Sequence, residues 1–435
     1  MRRIQGLIGF FVLFSLPLKL GAAYPDFLFG AGTHLALGRN DGAFVQSLIE
    51  GGVINSFRDD LNWSMAERVK GRYDFRGSLR RLDELVLSSP KNAFPLLILA
   101  YGNENYGGGF PLTDEARAGF VEYTRAAALR YGNHVFAFEI WNEWNIGAGN
   151  RKSAGRQGDP AKYVELVAAS ARAIREHAPA AKILCGSVTD LDVKWIEAVL
   201  EKGMLSHCDG LSVHPYVYSN GRRSYPVNVF QWLDRVAAMV AGAPGGAGKK
   251  IYITELGWPT HAGKGGSPED RAASFLIQSL ALARTRDYVA GLWWYELTDG
   301  KDNNPGDRES NFGIYRNNYD QKAAARALEK TAKLLRAARF EGEGKVGESG
   351  QWVRFSDAQS GDPFIVMWGR SGEREGYCLQ STNDNEVLDV RGGDKFADRS
   401  SMISSSDSPL VLRFRGKSSS SPSVPVTLAR NGRCN

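Results

Sequence analysis

Two glutamates, each near the end of an apolar run, are the residues of this chain whose setting points most clearly to chemistry. Glu143 follows Asn142 at the end of the run 135–143, and tryptophans stand on both sides of this pair. Glu255 lies near the end of the later run 250–256. Hydrolysis of a glycosidic bond requires two carboxyl groups, because one gives a proton to the leaving oxygen while the other attacks or stabilises the sugar carbon. The sequence therefore predicts a glycosidase-type pair.

Both glutamates, and a histidine between them, also have purely structural interpretations. Glu143 could be a loop acid, and Glu255 could form an ion pair with Arg58. The second interpretation is compatible with chemistry, because a neighbouring arginine keeps a carboxylate ionised and lowers its pKa. His214 could be a hydrogen-bonded core histidine, but its position on the strand before Glu255 favours a role in the site.

Short apolar runs alternate regularly with longer amphipathic segments, and these elements would position the two glutamates. In the segments between the runs, apolar residues recur at helical spacing, as from Tyr163 to Ile174. Such alternation predicts parallel strands joined by right-handed crossovers. Eight units predict a (β/α)8 TIM barrel over residues 24–342; an open doubly wound sheet is disfavoured because no Gly-rich dinucleotide fingerprint follows the first strand. The predicted strands are 27–34, 53–60, 94–101, 135–143, 182–188, 209–216, 250–256 and 289–296.

A different pattern follows the last predicted helix of the barrel, 322–340. Short alternating segments, separated by Ser, Gly and Asp, lie at 352–355, 364–368 and 410–414. They predict a smaller all-β, sandwich-like domain over residues 343–435. The predicted fold class is therefore α/β, a TIM barrel with an all-β C-terminal domain.

Polar and aromatic residues follow six of the predicted strands, at the end of the barrel where the active sites of this fold lie. Aromatic rings are expected in the groove because the apolar faces of sugars stack on them; the candidates are Trp63, Tyr101, Tyr106, Trp144, Tyr216, Trp258 and Trp294. Adjacent strand residues point to opposite faces, so either Trp293 or Trp294 must face away from the lumen. We predict Trp294 as the sugar platform.

Glu104 and Glu296 are further acids that could bind sugar hydroxyls. The predicted substrate-binding residues are His34, Arg58, Asn142, Trp144, His214, Tyr216, Trp258 and Trp294.

The first residues have the pattern of a secretory signal peptide. Arg2 and Arg3 are followed by an apolar run, 6–18, and by the small residues 21–23. We therefore predict a cleavable signal peptide over residues 1–23 and a secreted or periplasmic protein. An uncleaved membrane anchor is the alternative, although the run is short for a bilayer span.

Charge and cysteine content exclude some partners and leave others open. The net charge of +6 includes three leader cations, and no Lys/Arg cluster is interleaved with aromatics, so we expect no nucleic-acid partner. Of four cysteines, we expect Cys378 to pair with Cys434. Cys185 and Cys208 could be bonded or could be buried free thiols. No two cysteines or histidines have metal-ligand spacing, so no metal site is predicted.

At these residues the chain resembles glycoside hydrolase clan A, whose members are retaining (β/α)8 enzymes. In that clan an acid/base glutamate follows an asparagine at the end of strand four, and a nucleophilic glutamate ends strand seven. Asn142-Glu143 and Glu255 match these positions. Within the clan the chain is most similar to family 39, and there to the endoglycosidases encoded with bacterial exopolysaccharide (biofilm matrix) operons. The segments that carry the resemblance are 32–34, 141–145, 254–258, 293–297, 311–313 and 406–409.

The resemblance implies a double displacement on a microbial exopolysaccharide. Glu143 would be the acid/base and Glu255 the nucleophile, Asn142 would bind the hydroxyl next to the anomeric carbon, and Arg58, His214 and Tyr216 would orient and tune Glu255. No metal or organic cofactor is implied. The expected partners of a monomer are a polysaccharide or oligosaccharide substrate and, through the operon resemblance, exopolysaccharide assembly proteins.

Two alternatives to a retaining endo-β-glycosidase stay open. The first is an exo-acting β-glycosidase of the same clan, similar to a xylosidase, which would differ by a pocket closed at one end. The second is a non-catalytic glycan-binding or biosynthesis-associated protein built on the same barrel.

Overall fold

The computed structural model describes residues 25–150, 157–302, 304–346 and 350–369, and in the C-terminal region residues 375–379, 385–389, 394–397, 402–405, 408–414 and 426–428. The predicted signal peptide and the predicted Cys378–Cys434 pair both lie outside this description, because the leader, the side chain of Cys378 and the whole of Cys434 are not covered. Within the described residues, no helix combines the length and apolar character that a bilayer span requires.

Eight parallel strands close into a barrel, in chain order and with the last strand pairing the first. Each overlaps one of the predicted runs, so the predicted TIM barrel is confirmed. β1, β3 and β4 are buried along their whole length, as expected for strands that are covered by helices on one face and by the barrel interior on the other. The strands are β1 (Leu28–Gly32), β2 (Ser56–Asn62), β3 (Leu96–Ala100), β4 (Ala137–Ile140), β5 (Lys182–Thr189), β6 (Gly210–His214), β7 (Lys250–Leu256) and β8 (Val289–Trp294).

Helices of different length surround the strands. Thr113 caps α4, since its side chain accepts a hydrogen bond from the backbone N–H of Ala116, and two acids follow in the first turn of the helix. The helices are α1 (Gly42–Glu50), α2 (Trp63–Ala66), α3 (Arg80–Ser88), α4 (Asp114–Tyr131), α5 (Pro160–His177), α6 (Val193–Glu201), α7 (Pro226–Gly242), α8 (Glu269–Arg284) and α9 (Ala323–Arg336).

Two hydrophobic clusters hold this arrangement together. The larger lies between the strands and the helices and extends into the C-terminal sheet. The smaller fills the barrel interior below the cavity and includes Leu28, Ile98, Tyr252 and Trp293. The barrel is therefore closed below by side chains and open only at the carboxyl ends of its strands.

A disulfide joins Cys185 of β5 to Cys208, which lies just before β6. The Cα atoms are 6.1 Å apart and the bond closes a loop of 23 positions that contains α6. Of the two alternatives for Cys185 and Cys208, the structure therefore has the bonded one and not two buried free thiols. Persistent disulfides are typical of exported proteins.

The C-terminal region forms antiparallel sheets, which confirms the predicted all-β domain. Six strands pair in the order β14-β13-β16-β11-β10-β9, and three more in the order β15-β12-β17. The strands are β9 (Ala338–Val346), β10 (Gly350–Asp357), β11 (Pro363–Trp368), β12 (Glu375–Leu379), β13 (Asn385–Asp389), β14 (Asp394–Ala397), β15 (Met402–Ser405), β16 (Leu410–Phe414) and β17 (Val426–Leu428).

The structure differs from the sequence interpretation where barrel and sheet meet. The predicted helix 322–340 ends at Arg336, and β9 begins at Ala338, ahead of the expected boundary at residue 343. Pairing explains the difference, because the backbone from Ala338 onward hydrogen-bonds along the whole of β10. Helical spacing continues in the side chains across this point, so the periodicity alone could not locate the end of the helix.

Candidate active site

A cavity of about 360 Å³ opens at the carboxyl ends of the barrel strands. Both glutamates singled out in the sequence line it, together with residues from loops around most of the barrel mouth. The lining consists of His34, Arg58, Asp60, Ile98, Tyr101, Asn142, Glu143, Ile146, Thr189, Asp190, Tyr216, Tyr218, Glu255, Tyr295, Arg308, Glu309 and Phe312.

Glu143 and Glu255 face one another across this cavity. One carboxylate oxygen of each, together with a ring nitrogen of His214, forms a group whose atoms all lie within 4.8 Å of one another. Retaining glycosidases hold their two carboxyl groups roughly 5–5.5 Å apart, whereas inverting enzymes need more room for a water. The spacing in this cavity therefore agrees with the shorter, retaining arrangement.

Backbone geometry directs Glu143 into the cavity. The residue has a left-handed conformation with φ of 47°, which is uncommon for a residue with a side chain and persists only where the surroundings hold it. Its N–H donates to the carbonyl of Ser187 at 3.1 Å, and its own carbonyl accepts from Ile146 and Ala148 at 3.2 Å each. These bonds fix the turn that follows β4.

Glu255 accepts two short hydrogen bonds, one from the buried Arg58 and one from the partly buried Tyr216. Nη1 of Arg58 lies 2.6 Å from Oε1, and the hydroxyl of Tyr216 lies 2.7 Å from Oε2. Burial alone would raise the pKa of Glu255, but the charges of His214 and Arg58 and the bonds from Tyr216 and Arg58 outweigh it, so the pKa lies below its ordinary value. Glu255 is therefore held as a carboxylate. The structural ion pair with Arg58 and the chemical role are compatible.

Arg58 connects Glu255 to a second buried acid that the sequence interpretation did not assign. Its Nε donates to Glu139 at 2.7 Å, and Thr254 donates to the other oxygen of Glu139 at 2.8 Å. Nη2 of Arg58 reaches Oδ1 of Asn142 at 2.9 Å. An acid in the middle of an apolar strand was the available signal for Glu139, because a buried carboxylate needs a partner.

His214 is fully buried, yet its ring touches the reacting pair. Nδ1 lies 2.9 Å from Glu143 and 3.6 Å from Glu255. Nε2 lies 3.1 Å from the hydroxyls of Ser187 and Thr254. The resemblance implied that His214 acts on Glu255; in the structure its shorter contact is to Glu143.

A charged cluster joins residues that follow β1 and β8 to Asp60 of β2, and its members His34 and Asp60 line the cavity. Nε2 of His34 lies 3.0 Å from Glu296, and Arg39 also pairs with Glu296, at 2.8 Å. Burial lowers the pKa of His34, but the nearby carboxylates, Glu296 first among them, raise it to about 8. Burial, together with Asp59 and Glu255, raises the pKa of Asp60 to about 6 against the influence of His34 and Arg58. One oxygen of Asp60 is buried and has no hydrogen-bond partner among the described residues.

The predicted tryptophans are not in the cavity, and this corrects the sequence interpretation. Trp144 packs on Phe110 and donates its indole N–H to the carbonyl of Asp159. Trp258 and Trp294 stack on each other at 5.8 Å. Trp63, another candidate for the groove, is also fully buried. All four indoles lie between the barrel and its helices, where they fill volume and cannot meet a sugar.

Tyrosines take the positions expected for tryptophan. Trp293 faces the barrel interior. Tyr295 lies two residues further along the chain, so its side chain points to the same face and lines the cavity. The prediction that Trp294 is the sugar platform is therefore wrong, because the side chains that face the barrel interior are those of the neighbouring residues Trp293 and Tyr295. Tyr101 and Tyr216 line the cavity as expected, Tyr106 does not, and Tyr218 and Phe312 were missed because they lie on loops that carry no periodic signal.

The three-ligand group of Glu143, His214 and Glu255 could in principle attract a cation. The atoms that would bind the cation already form hydrogen bonds, however. Both oxygens of Glu255 accept hydrogen bonds, from Arg58 and Tyr216, and Glu143 is hydrogen-bonded to His214. A guanidinium in contact with a ligand carboxylate opposes a second positive charge. The arrangement fits acid–base and nucleophilic chemistry better than metal binding.

The fold of this chain is similar to the folds of solved glycoside hydrolases. Neither a protein-family model nor a curated protein matches the chain. Among solved structures, a family 39 glycoside hydrolase from the gut symbiont Bacteroides cellulosilyticus is similar, with 22% identity, a TM-score of 0.73, and coverage of 91% of this chain and 83% of the other. A GH39 β-xylosidase from Caulobacter crescentus has 16% identity, a TM-score of 0.61 and coverage of 90% and 96%. A glucosidase from Croceicoccus marinus has 14% identity, a TM-score of 0.62 and the same coverage. The chain therefore has the fold of the family 39 glycoside hydrolases, which confirms the resemblance at the level of fold.

Proposed function

We propose that this chain is a retaining endo-β-glycosidase that hydrolyses a microbial exopolysaccharide. The observation that carries the proposal is the pair Glu143 and Glu255, whose facing oxygens lie within 4.8 Å in a cavity at the barrel mouth. The family 39 fold supports a glycosidase of clan A.

The surroundings of the two glutamates support different roles for them. Glu255 is the nucleophile, because Arg58 and Tyr216 keep it ionised and aimed at the cavity. Glu143 is the acid/base, because it contacts one imidazole and is the more open of the two, with its side chain 17% exposed against 10% for Glu255. A residue that must meet a leaving oxygen and then a water needs that access.

In the first step Glu143 gives its proton to the glycosidic oxygen while a carboxylate oxygen of Glu255 attacks the anomeric carbon. The bond to the leaving sugar breaks and a glycosyl ester of Glu255 forms. In the second step Glu143, now a carboxylate, takes a proton from water, whose oxygen displaces Glu255 from the same carbon. The Oδ1 of Asn142 accepts from Arg58, and its Nδ2 donates one hydrogen to the hydroxyl of Tyr101 at 3.0 Å; the other amide hydrogen would bind the sugar hydroxyl next to the anomeric carbon.

Substitution of the glutamates tests the catalytic proposal. Glu255→Gln should lower hydrolysis by several orders of magnitude and keep glycan binding. Glu143→Ala should respond to azide, which needs no general base, by giving a glycosyl azide of retained configuration. Glu104→Gln is the matched control, because Glu104 is exposed near the same barrel end and does not line the cavity. Unchanged hydrolysis by Glu255→Gln would refute Glu255 as the nucleophile, whereas glycan binding without hydrolysis by the unaltered protein would favour a non-catalytic glycan-binding protein.

Exo-acting β-glycosidase activity is the second candidate. The cluster of His34, Asp60 and Glu296 could close one end of the groove, and a similar structure is named a β-xylosidase. Product sizes separate the two candidates. Early oligosaccharides from a polysaccharide digest would support endo action, whereas monosaccharide as the sole product would exclude it.

We further propose export to the periplasm or the medium, supported by the pattern of residues 1–23 and by the Cys185–Cys208 disulfide. Partners would be the polysaccharide and, in a biosynthetic setting, exopolysaccharide assembly proteins, with the enzyme itself a monomer. Two measurements test this proposal. Fractionation of cells that express the full chain locates the protein, and mass spectrometry of its N-terminal peptide identifies the first residue of the mature protein.

A further inference from the structure

A second cavity, here called the side cavity, lies between one face of α7 and the loops that follow β5 and β6. Its volume is about 560 Å³. It is lined by Leu191, Val217, Asn220, Arg223, Asn228, Gln231, Trp232 and Arg235.

The side cavity and the active-site cavity share a wall. Asp190 and Tyr218 line the active site, and their chain neighbours Leu191 and Val217 line the side cavity. Both segments follow barrel strands, β5 and β6, so both cavities open at the same end of the barrel. The side cavity therefore adjoins the active-site cavity, and a glycan that occupied both would have to extend across the wall formed by these two segments.

The lining of the side cavity is rich in hydrogen-bond donors and contains no acid. In the described part of the chain, neither Arg223 nor Arg235 has a carboxylate partner. The indole N–H of Trp232 is buried and has no acceptor among the described residues, although the side chain is only 2% exposed. Buried donors without acceptors are rare in native proteins, and the guanidiniums of Arg223 and Arg235, both exposed to solvent, can bind a carboxylate through charge-assisted hydrogen bonds.

The acids nearest in sequence do not neutralise these arginines. Asp192 accepts from Asn145 and caps α6 at Trp195. Asp234 accepts from the hydroxyl of Tyr288 at 2.5 Å, on the other side of α7. The positive charge of the side cavity is therefore available to a ligand.

The active-site cavity has the opposite balance. Five carboxyl groups line it, Asp60, Glu143, Asp190, Glu255 and Glu309, against three groups that can carry positive charge, Arg58, Arg308 and His34, whose pKa is raised to about 8. Like charges repel strongly in a confined site, so this lining disfavours a uronic acid at the position of bond cleavage. A neutral sugar fits there.

We propose that the side cavity is a binding site for a carboxylate-bearing sugar unit of the polysaccharide, while a neutral unit occupies the reacting position. Arg223 and Arg235 would hold the carboxylate, and the amides of Asn220, Asn228 and Gln231 would bind hydroxyls. The proposal rests on the proposed function only for the identity of the ligand as a glycan. It names a substrate class, a mixed neutral and acidic polysaccharide.

Titration with sodium D-glucuronate, followed by the ¹⁵N indole signals, tests the site without any need for turnover. The chain has ten tryptophans, so the indole region is simple, and Trp232→Phe assigns the relevant signal. We expect a saturable shift of the Trp232 signal with glucuronate and none with glucose or with sodium chloride at equal ionic strength. Arg223→Gln/Arg235→Gln should weaken binding at least about tenfold, because two charge-assisted bonds are lost.

Arg172→Gln is the matched control, because Arg172 is an exposed arginine on α5 far along the chain from the cavity. It should leave the titration unchanged. Absence of a saturable shift, an equal shift with glucose, or an equal shift with sodium chloride would each overturn the proposal. The titration needs no catalysis and can be repeated on the Glu255→Gln protein, so failure of the hydrolase proposal would be seen separately, in the activity assay.

Discussion

Removal of the Tyr216 hydroxyl should raise the pKa of the proposed nucleophile. The hydroxyl donates to Oε2 of Glu255 at 2.7 Å, and Tyr216→Phe deletes this bond while keeping the ring. A hydrogen bond to a charged group contributes about 1.5–3 kcal/mol, and each pKa unit corresponds to about 1.4 kcal/mol. Since the bond favours the ionised form, its loss should raise the pKa of Glu255 by about 1–2 units.

The assay is the pH dependence of kcat/KM for an aryl β-glycoside, whose good leaving group reduces the demand on the general acid. The acidic limb reports ionisation of the nucleophile in the free enzyme. In Tyr216→Phe this limb should move toward neutral pH, so activity at pH 5 falls much more than activity at pH 7. Tyr218→Phe is the matched control: its hydroxyl is in the same cavity without a bond to Glu255, and its acidic limb should coincide with that of the unaltered protein. An acidic limb that does not move in Tyr216→Phe, or that moves equally in Tyr218→Phe, would refute the reasoning.

Three further outcomes follow from the structure. Cys185→Ala/Cys208→Ala should lower the free energy of unfolding by roughly 3 kcal/mol in urea denaturation, because the disulfide closes a loop of 23 positions; an unchanged midpoint would contradict the bond. Trp294→Phe should lower stability by roughly 1–3 kcal/mol and leave KM unchanged, because the indole is buried outside the cavity; a large rise in KM with normal stability would restore it as a sugar platform. The pKa of His34 is raised to about 8 by Glu296, so the pair contributes stability that is complete below pH 6.5 and lost as the pH rises through 8. The melting temperature should therefore fall over this interval more steeply than in His34→Gln, and parallel curves would exclude the pair.

The parts of the fold that follow hydrophobic periodicity could be predicted from the sequence. All eight barrel strands overlap predicted runs because most of them are compact apolar segments between amphipathic helices, although β2 contains Arg58, Asp59 and Asp60. Glu143 and Glu255 could be found for a related reason, since an ionisable residue at the end of a buried strand costs free energy unless it has a function or a partner. Arg58, Asn142, His214 and Tyr216 were found by the same argument and do surround the pair.

The rest depends on information that periodicity does not carry. Trp293 and Trp294 are both apolar and aromatic, so the sequence does not show which of them faces the barrel interior. A shift of one residue in the strand register exchanges the inward-facing and outward-facing side chains. Tyr218, Arg308 and Phe312 come to the cavity on loops, whose course depends on the folded barrel. Trp144 and Trp258 follow strand ends closely but turn back under the helices, where a large apolar side chain is most stable.

Trapping of a covalent intermediate tests the central claim most directly. A 2-deoxy-2-fluoro β-glycoside with a good leaving group slows both steps, and the second more than the first, so a glycosyl-enzyme should accumulate. Mass spectrometry of the intact protein followed by peptide mapping should find one sugar on Glu255 and none on Glu143. Time-dependent loss of activity with the label on another residue, or turnover of a natural β-glycan with no trapped species and inverted product configuration, would contradict the account.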